Sequence, residues 1–467
     1  MALGIGYGLP FVAQHGTYPY KTQWAAAREG AKGAGASVED ENAGTGSCLV
    51  ARGQDVYTDG LPFTPSLLIV PQFYKEGNLY QDVPPFVAED LTMRFTVSRN
   101  TTATRVNSSG LIESVASGVP RIDWLGQSCP ALLVEASGQN LALRSEAFNV
   151  SGTWALVSGG TGSLPVVSAN AVISPDGTQN AETVVFNRGA GNAAADLSLL
   201  EQGITIPTSG TYTFSVYAKA SAAGDVGKQI FIRLGGAGAL TAITLTANWV
   251  RYSRTETSVA SGSQIVQIGN RGTFTAGNSV SVDLWGAQVE TGSIATTYIP
   301  TTTAAVSRAA DVISASGALV SGLIGQTEGT IYAEVDVRAL GAAKNIMQID
   351  EGASTNRIGL FVDISPTRLT LLMSNGGVTN SISGSLTTGI TKIAASYSSG
   401  NVQVFTNGSF LVSGTIATYP TATLNSISVG SRISSGVYGI QLNDRIRAAA
   451  LYTTRLSNDQ LAELTRL

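Results

Sequence analysis

The chain has 467 residues, of which 13% are charged and 53 are glycine, and its formal net charge is −4. This length exceeds what one ordinary core can hold, so two or three domains are expected. No run of lysine or arginine offers a basic surface to a phosphate backbone, so we expect no nucleic-acid partner. The longest apolar stretches fall far short of the ~20 residues of a membrane span, so we expect no membrane insertion.

Residue types that carry much of enzyme chemistry are scarce. Cys48 and Cys129 are the only cysteines, too few for a disulfide framework or a zinc site, and we interpret both as buried thiols. His15 is the only histidine, which leaves no parts for Ser-His-Asp, Cys-His or multi-histidine metal chemistry. The N-terminus lacks the basic start and cleavage site of a secretory signal, so we expect folding in a cytoplasm.

Residues 1–90 differ in composition from everything that follows. "AAAREGAKGAGASVEDENAGTGS" is small and Gly/Ala-rich and cannot build a core by itself. "DGLPFTPSLLIVPQFY" and "LYQDVPPFV" add apolar side chains that must be buried somewhere. The segment is either a flexible leader or an attachment arm that docks on another protein, and we favour the arm for 1–90.

From about residue 91 the sequence consists of segments with the length and alternation of β-strands. In 91–145, "TRVNSSGLIES" predicts a hairpin that turns at Asn107–Gly110, where Asn and Gly tolerate positive φ. "PRIDW" and "PALLVE" predict further strands, so 91–145 is expected to be a short β junction module.

The remaining chain predicts two antiparallel sandwiches. In 146–306, "TYTFSVYAKA" and "SVSVDLWGAQVE" alternate apolar and polar residues between Gly/Ser/Thr-rich turns. In 307–467, Asn407-Gly408 predicts a hairpin, and Ser457 with Gln460 predicts a capping box that opens a C-terminal helix. The predicted fold is all-β: an extended N-terminal arm, a short β junction, two tandem β-sandwiches and one short helix.

Several separated phrases carry a family resemblance. "TATRVNSSGLIE", "PRIDW", "CPALLVEASGQNLALRSEAFN" and "LWGAQVETGSIATTYIPTTTAAVSRAADV" occur in this order between about 90 and 312. They resemble recurring text of tailed-bacteriophage fibre and spike proteins, in which this module bridges a virion-binding N-terminus and distal carbohydrate-binding sandwiches. Residues 146–300 also resemble the jelly roll of carbohydrate-binding modules, and 320–467 resemble concanavalin A-like or laminin-G-like domains.

The resemblance implies a structural adhesin of a phage virion, made in the bacterial host cytoplasm. Residues 1–90 would attach it to other virion proteins, and we favour the capsid over the tail because no long shaft is present. The sandwiches would bind host-surface or environmental glycans. Two alternatives stay open: a polysaccharide-degrading spike, and a decorative capsid fibre without a ligand.

A homotrimer is also expected. Phage fibres that resemble this one are commonly trimers, and weak sugar contacts gain from several sites acting together. In addition, "LTMRF", "PRIDWL" and "PALLVE" look too short and too interrupted to be buried within one chain. A monomer whose residues 91–145 fold onto the first sandwich is the alternative.

Sugar binding calls for an exposed aromatic face with hydrogen-bonding side chains nearby. The candidates are Trp154, Tyr419 and Tyr438, with Asn356 and Arg357. A further set of aromatic residues could be core or could form a sugar platform: Trp249, Tyr252 and Trp285.

Catalysis and metal binding have weaker patterns. Glu334 and Asp336 project from one face of a strand and begin the Glu-x-Asp-x-x-Glu signature of concanavalin-like glycosidases, but Ala339 replaces the third acid. We therefore expect no enzyme; Glu334 would be the nucleophile if there were one. No cofactor is expected, although calcium could bind near strand ends at Asp350, Glu351 and Asp363.

Overall fold

The fold is taken from a computed structural model. It describes residues 63, 65–69, 74–75, 78–80, 94–126, 130–236, 238–274, 277–340, 342–364, 367–434 and 437–466. Most of the predicted arm, with His15 and Cys48, lies outside these residues, as does Cys129. Within the described ranges, no helix is long and apolar enough to span a membrane.

The described part of the chain before residue 141 forms short strands. They are β1 (Leu67–Ile69), β2 (Tyr74–Lys75), β3 (Asn78–Tyr80), β4 (Arg94–Ser98), β5 (Ala103–Val106), β6 (Ile112–Val115), β7 (Arg121–Asp123), β8 (Ala131–Val134) and β9 (Gly138–Asn140). The strands β5 and β6 pair as the predicted hairpin, in which Gly110 has a φ of 79°.

The central part of the chain forms a complete sandwich, which we call the middle sandwich. Its strands are β10 (Ala155–Gly159), β11 (Val166–Val172), β12 (Ala181–Asn187), β13 (Leu197–Ile206), β14 (Gly210–Ala220), β15 (Gln229–Leu234), β16 (Thr241–Thr244), β17 (Val250–Val259), β18 (Gly262–Arg271) and β19 (Ser279–Thr291). They pair in two five-stranded sheets, ordered β10-β13-β18-β15-β16 and β11-β12-β19-β14-β17. A single 3₁₀ turn, Ala223–Asp225, occurs among these strands in the described residues.

The last part of the chain is again almost entirely strand. Its strands are β20 (Val306–Arg308), β21 (Val312–Ser316), β22 (Glu328–Val337), β23 (Lys344–Asp350), β24 (Arg357–Ile364), β25 (Thr367–Asn375), β26 (Val378–Ser385), β27 (Gly389–Ser398), β28 (Asn401–Thr406), β29 (Ser409–Gly414), β30 (Ser426–Val429), β31 (Arg432–Ser434), β32 (Val437–Gly439) and β33 (Asp444–Tyr452). Two short helices accompany them, α1 (Ala318–Leu323) and α2 (Asn458–Leu464).

Local signals in this part act as predicted. Asn407 and Gly408 have φ of 48° and 76° in the turn between β28 and β29, which matches the positive φ that a two-residue hairpin needs. Ser457 accepts a hydrogen bond from the backbone of Gln460, whose side chain accepts one from the Ser457 backbone. This capping box starts α2.

The second sandwich is built from two separated parts of the chain, and we call it the split sandwich. Its eight-stranded sheet has the order β29-β28-β27-β22-β33-β8-β7, with β1 also paired to β33. Its nine-stranded sheet has the order β2-β3-β4-β21-β30-β23-β24-β25-β26. Strands from the predicted arm and from the predicted junction are therefore members of the same sheets as strands from 307–467.

The middle sandwich is an insertion in the split sandwich. The chain leaves after β8, forms β10 to β19, and returns at β21, which pairs with β4 and β30. The outgoing and returning segments pair with each other as β9 and β20. The all-β fold with two antiparallel sandwiches is confirmed, while the second sandwich recruits strands from as early as Leu67.

This arrangement removes one argument for a trimer. Phe95, Ile122, Leu132 and Val134 are at most 6% exposed, and they pack in the core between the two sheets of the split sandwich. The expectation that these segments could not be buried within one chain is wrong, because 307–467 supplies the other side of the core. The oligomeric state itself stays a prediction.

Buried ion pairs lie where the two sandwiches meet. Arg121 contacts both Glu135, at 2.7 Å, and Asp311. Arg308 reaches Glu135 at 2.9 Å, and Arg99 reaches Asp311 at 2.8 Å. Burial alone would raise the pKa of Glu135, but the charges of Arg308 and Arg121 outweigh burial and hold that pKa far below its usual value. We call these five residues the junction cluster.

The junction cluster explains the phrases that carry the resemblance. Arg121 belongs to "PRIDW", Glu135 to "PALLVEASGQN", and Arg308 and Asp311 to "AAVSRAADV". The hairpin of the first phrase packs through Ile112 on the middle sandwich. These phrases are distant in sequence, and they meet because together they form the connection between the sandwiches.

Candidate functional site

The outer face of the nine-stranded sheet, which points away from the core, is polar and partly open. Along β24, Ile358, Leu360 and Val362 point into the core and are fully buried, so Arg357, Gly359 and Phe361 point outward. In the register of the sheet, Arg357 lies opposite Asp350 on β23 and Ser374 on β25. We call this surface the outer face.

The hairpin of β31 and β32 lies across part of the outer face. Asn345 donates from Nδ2 to the Ser431 carbonyl at 2.6 Å, and Ser428 donates from Oγ to the same carbonyl at 2.8 Å. Gln348 donates from Nε2 to the Ile433 carbonyl at 3.3 Å. The hairpin therefore covers β23 and β30. Of the residues of β24 that point outward, Gly359 is buried, whereas Arg357 and Phe361 are partly exposed.

Two arginines meet at the edge of this cover. Arg432 begins β31, and its charge helps to lower the pKa of Arg357, for which burial is the larger cause. The Nε atoms of both arginines are buried and have no hydrogen-bond partner. Among the described residues, neither guanidinium forms an ion pair. Gln348 links the two positions, because its Nε2 bonds both Asp350, which is opposite Arg357, and the carbonyl of Ile433, which follows Arg432. The two positive charges therefore lie near each other, with no carboxylate at ion-pair distance among the described residues.

The carboxylate opposite Arg357 is already occupied. Asp350 is fully buried and accepts hydrogen bonds from Gln348 Nε2 at 2.8 Å and from the Gly352 backbone N at 2.7 Å. Burial raises the pKa of Asp350, and these bonds only partly offset it. Asp350 is close enough to act on the pKa of Arg357 but lies beyond ion-pair distance.

The apolar part of the outer face lies further along β24. Phe361 is partly exposed, and Leu372, which is opposite Gly359 in the register, is also partly exposed. A Cβ atom at Gly359 would meet only Gln348 Oε1, at 3.9 Å. Gly359 is nevertheless buried, so the exposed part of this face consists of the larger side chains on either side of it.

The structure brings three of the five predicted sugar-binding residues to one end of the split sandwich. Asn356 precedes Arg357, and the loop that carries Tyr419 reaches the same end, where Thr421 bonds Asn375 at 3.0 Å. Asn356 Nδ2 donates to both carboxylate oxygens of Glu351, at 3.0 and 2.9 Å. Its side chain therefore holds its own loop in place.

Two aromatic candidates differ from what a sugar platform requires. Tyr419 packs against the core, and its hydroxyl is buried without a hydrogen-bond partner. Trp154 is 1% exposed and packs on Phe148 in the middle sandwich, with ring centroids 4.9 Å apart. Trp154 therefore presents no exposed face to a sugar. Tyr438 lies opposite Ile433 in the hairpin, and its side chain is outside the described part.

The sequence left three aromatic residues as either core or sugar platform: Trp249, Tyr252 and Trp285. In the structure their contacts are mainly internal. Trp285 is 1% exposed and lies 4.4 Å from Tyr298, centroid to centroid. Tyr252 packs against the core of the middle sandwich. Trp249 is partly exposed, but its Nε1 donates to the Ile173 carbonyl at 3.1 Å.

Two of the candidate catalytic and calcium residues have internal partners. Glu334 lies 3.5 Å from Arg447, and burial raises its pKa despite that charge. Glu351 accepts hydrogen bonds from Thr355 and Asn356, which lower its pKa. No group of three or more acidic, histidine or cysteine side chains that could hold a metal occurs in the described residues.

Several residues of the outer face were missed by sequence reasoning. The alternation in "NRIGLFVDIS" could have placed Phe361 on the same face as Arg357, because strand side chains alternate. Nothing in the sequence links Arg432 to that face, because the hairpin that carries it contacts Gln348 on β23 only in the folded chain.

Comparisons with known proteins give weak likenesses. No family model matches the sequence, and no curated protein matches it. The CBM40 of the Ruminococcus gnavus IT-sialidase, bound to α2,3-sialyllactose, is 14% identical with a TM-score of 0.27, over 30% of this chain and 84% of that one. Domain 4 of AbnA, a GH43 arabinanase from Geobacillus stearothermophilus, in complex with arabinotriose, is 18% identical with a TM-score of 0.26, over 37% of this chain and 82% of that one.

A third similar structure matches over a smaller share of its own chain. The K499G mutant of the NanB sialidase from Streptococcus pneumoniae is 12% identical with a TM-score of 0.29, and the match covers 32% of this chain and 26% of that one. Likenesses of this strength carry no argument about what this chain does.

Proposed function

We propose that this chain is a non-enzymatic adhesin of a tailed-bacteriophage virion that binds glycans on the outer face of the split sandwich. One observation carries the binding part: a polar, partly exposed sheet face combines two arginines that form no ion pair among the described residues with a partly exposed aromatic ring. Sugars have both hydroxyl groups and apolar ring faces, so a protein surface that binds them needs both kinds of contact. The phage part rests on the sequence resemblance.

The binding part is tested with matched phenylalanine variants. Phe361→Ala removes the ring of the outer face, whereas Phe410→Ala removes a ring that is 56% exposed on β29 of the other sheet. On an array of host-surface polysaccharides, we expect Phe361→Ala to weaken binding by about 3- to 10-fold, which corresponds to ~0.5–1.5 kcal/mol for one aromatic contact. Equal binding by the two variants would show that the outer face is not the glycan-binding surface.

The attachment part needs a truncation placed by the structure. Leu67, Leu68 and Ile69 are at most 1% exposed and pair with β33, so deleting the whole predicted arm, 1–90, would damage the split sandwich. Deletion of 1–62 spares β1. We expect this shorter protein to fold, to keep its glycan binding and to be missing from virions. Normal incorporation into particles would refute attachment through 1–62.

The same assays distinguish the proposed adhesin from the two alternative functions. A polysaccharide-degrading spike would release oligosaccharides, and release that is lost in Glu334→Gln would support it. A decorative capsid fibre would join particles without binding any polysaccharide. A homotrimer remains part of the proposal because weak sites gain affinity when several act together, and light scattering on the intact protein measures it.

A further inference from the structure

Arg357 and Arg432 place an unusual charge arrangement on the outer face. Each side chain is partly buried, which weakens the solvent screening of its charge. Their mutual repulsion costs folding free energy, and no carboxylate within ion-pair distance offsets it among the described residues. Such a pair is stabilised when an anion binds between the two guanidinium groups.

The chemistry of the guanidinium group restricts the anion. Its planar fork of N–H donors matches two oxygens of a carboxylate or of a phosphate. Asp350 cannot take this place, because it is fully buried and its oxygens accept from Gln348 and Gly352.

The spacing of the partly exposed side chains suits a charged sugar. Phe361 follows Arg357 on the same face, at roughly 13 Å along the strand. A sugar unit bound between them would have the Phe361 ring on one side and the two guanidinium groups on the other. A neutral sugar would contact the ring but leave both charges unpaired.

We infer that the outer face selects glycans with an anionic group, a carboxylate or a phosphate, which Arg357 and Arg432 hold together while Phe361 contacts the ring. This inference rests on the proposed function and names its class of ligand. The anion would gain two charge-assisted hydrogen-bonding partners, which are about twice as strong as neutral ones.

The test uses the full chain and three immobilised polymers: polygalacturonate for the carboxylate, a phosphorylated mannan for the phosphate, and dextran as the neutral polymer. The double variant Arg357→Gln/Arg432→Gln removes both charges. Arg271→Gln is the matched control, because Arg271 lies in the middle sandwich and its Nε is also buried without a partner. Arg357→Lys/Arg432→Lys keeps the charges but removes the planar forks. Circular dichroism confirms that each variant is folded.

We expect tighter binding to at least one anionic polymer than to dextran, a loss of at least tenfold in the Gln double variant, an intermediate loss in the Lys variant and no change in Arg271→Gln. The anionic polymer that binds the protein more tightly identifies the carboxylate or the phosphate as the preferred group. Equal binding to all three polymers, unaffected by the double variant, would overturn the anion inference and leave glycan binding intact. If the protein binds none of the three polymers and no host polysaccharide, both the anion inference and the proposed glycan binding are overturned.

Discussion

Arg121 in the junction cluster and Arg357 on the outer face are both withdrawn from water, but their surroundings differ. Arg121 contacts two buried carboxylates, and further arginines complete the pairing of those acids. Arg357 has another arginine beside it, and the acid opposite is occupied by its own neighbours. In the junction cluster the opposite charges are satisfied within the chain. On the outer face the positive charges have no carboxylate at ion-pair distance among the described residues.

This difference separates residues that build the molecule from residues that can act on a partner. Buried ion pairs fix how two segments meet, since breaking one leaves an uncompensated charge in a place of low polarity. Unpaired charges that are partly exposed cost stability, and such a cost is typical of binding sites. The following predictions test the comparison, starting with the largest expected effect.

Removing Arg121 should have the largest effect. Arg121→Gln leaves Glu135 and Asp311 with less positive charge in a fully buried site, and we expect a loss of about 3–5 kcal/mol in the free energy of unfolding. Arg254→Ala is the control, because its pair with Glu256 is more exposed and should contribute less than about 1 kcal/mol. Urea unfolding followed by circular dichroism measures both. Similar midpoints for the two variants would show that the junction cluster is not structural.

Glu182 tests how a buried carboxylate without an arginine partner affects the pH dependence of stability. It is 2% exposed, and burial raises its pKa from 4.5 to about 7, although the Phe148 backbone N donates to it at 2.7 Å. Between pH 4.5 and 7 the folded chain keeps a proton that the unfolded chain releases, so this group lowers stability as pH rises, by at most about 3 kcal/mol.

The matching variant is Glu182→Gln, which should remove this part of the pH dependence while keeping an oxygen that accepts from Phe148. Glu135 has the opposite sign: its pKa is lowered, so its stabilisation is complete above pH 4.5 and is lost as pH falls further. Thermal melting from pH 4 to 8 compares the variant with the natural chain. Parallel curves across that range would contradict the raised pKa of Glu182.

The smallest effect concerns Asn356, which the sequence proposed as a sugar ligand. In the structure Asn356 holds Glu351, so Asn356→Ala should cost about 1 kcal/mol of stability through lost hydrogen bonds. We expect it to change binding to anionic polymers by less than Arg357→Gln does. A larger loss of binding in Asn356→Ala than in Arg357→Gln would indicate that the ligand binds at the loop of Asn356 and not on the outer face.

Local structure that depends on residues close together in the sequence was predicted correctly. The turns at Gly110 and Asn407-Gly408 and the capping box at Ser457 follow from local conformational preferences, and all three occur as predicted. Pairing between distant strands was not predictable, because β1 and β33 pair although Leu67 and Leu451 are far apart in the sequence. The same limit applied to Trp154, whose burial depends on strands that follow it in the chain.

The candidate site was partly predictable for the same reason. Arg357 was identified because an arginine can hydrogen-bond sugar hydroxyls, and Phe361 shares its face through strand alternation. Arg432 joins them through the hairpin that Asn345 and Gln348 anchor, which is a tertiary contact without a sequence signal.

Hydrogen–deuterium exchange with mass spectrometry, on the full chain with and without polygalacturonate, tests most directly whether the outer face is the binding surface. We expect slower exchange in peptides that cover Arg357–Ile364 and the hairpin that begins at Arg432, with no change in β10 to β19 of the middle sandwich. Arg357→Gln/Arg432→Gln should abolish that protection while leaving exchange of the junction cluster unchanged. Protection confined to the middle sandwich would contradict the assignment of binding to the outer face.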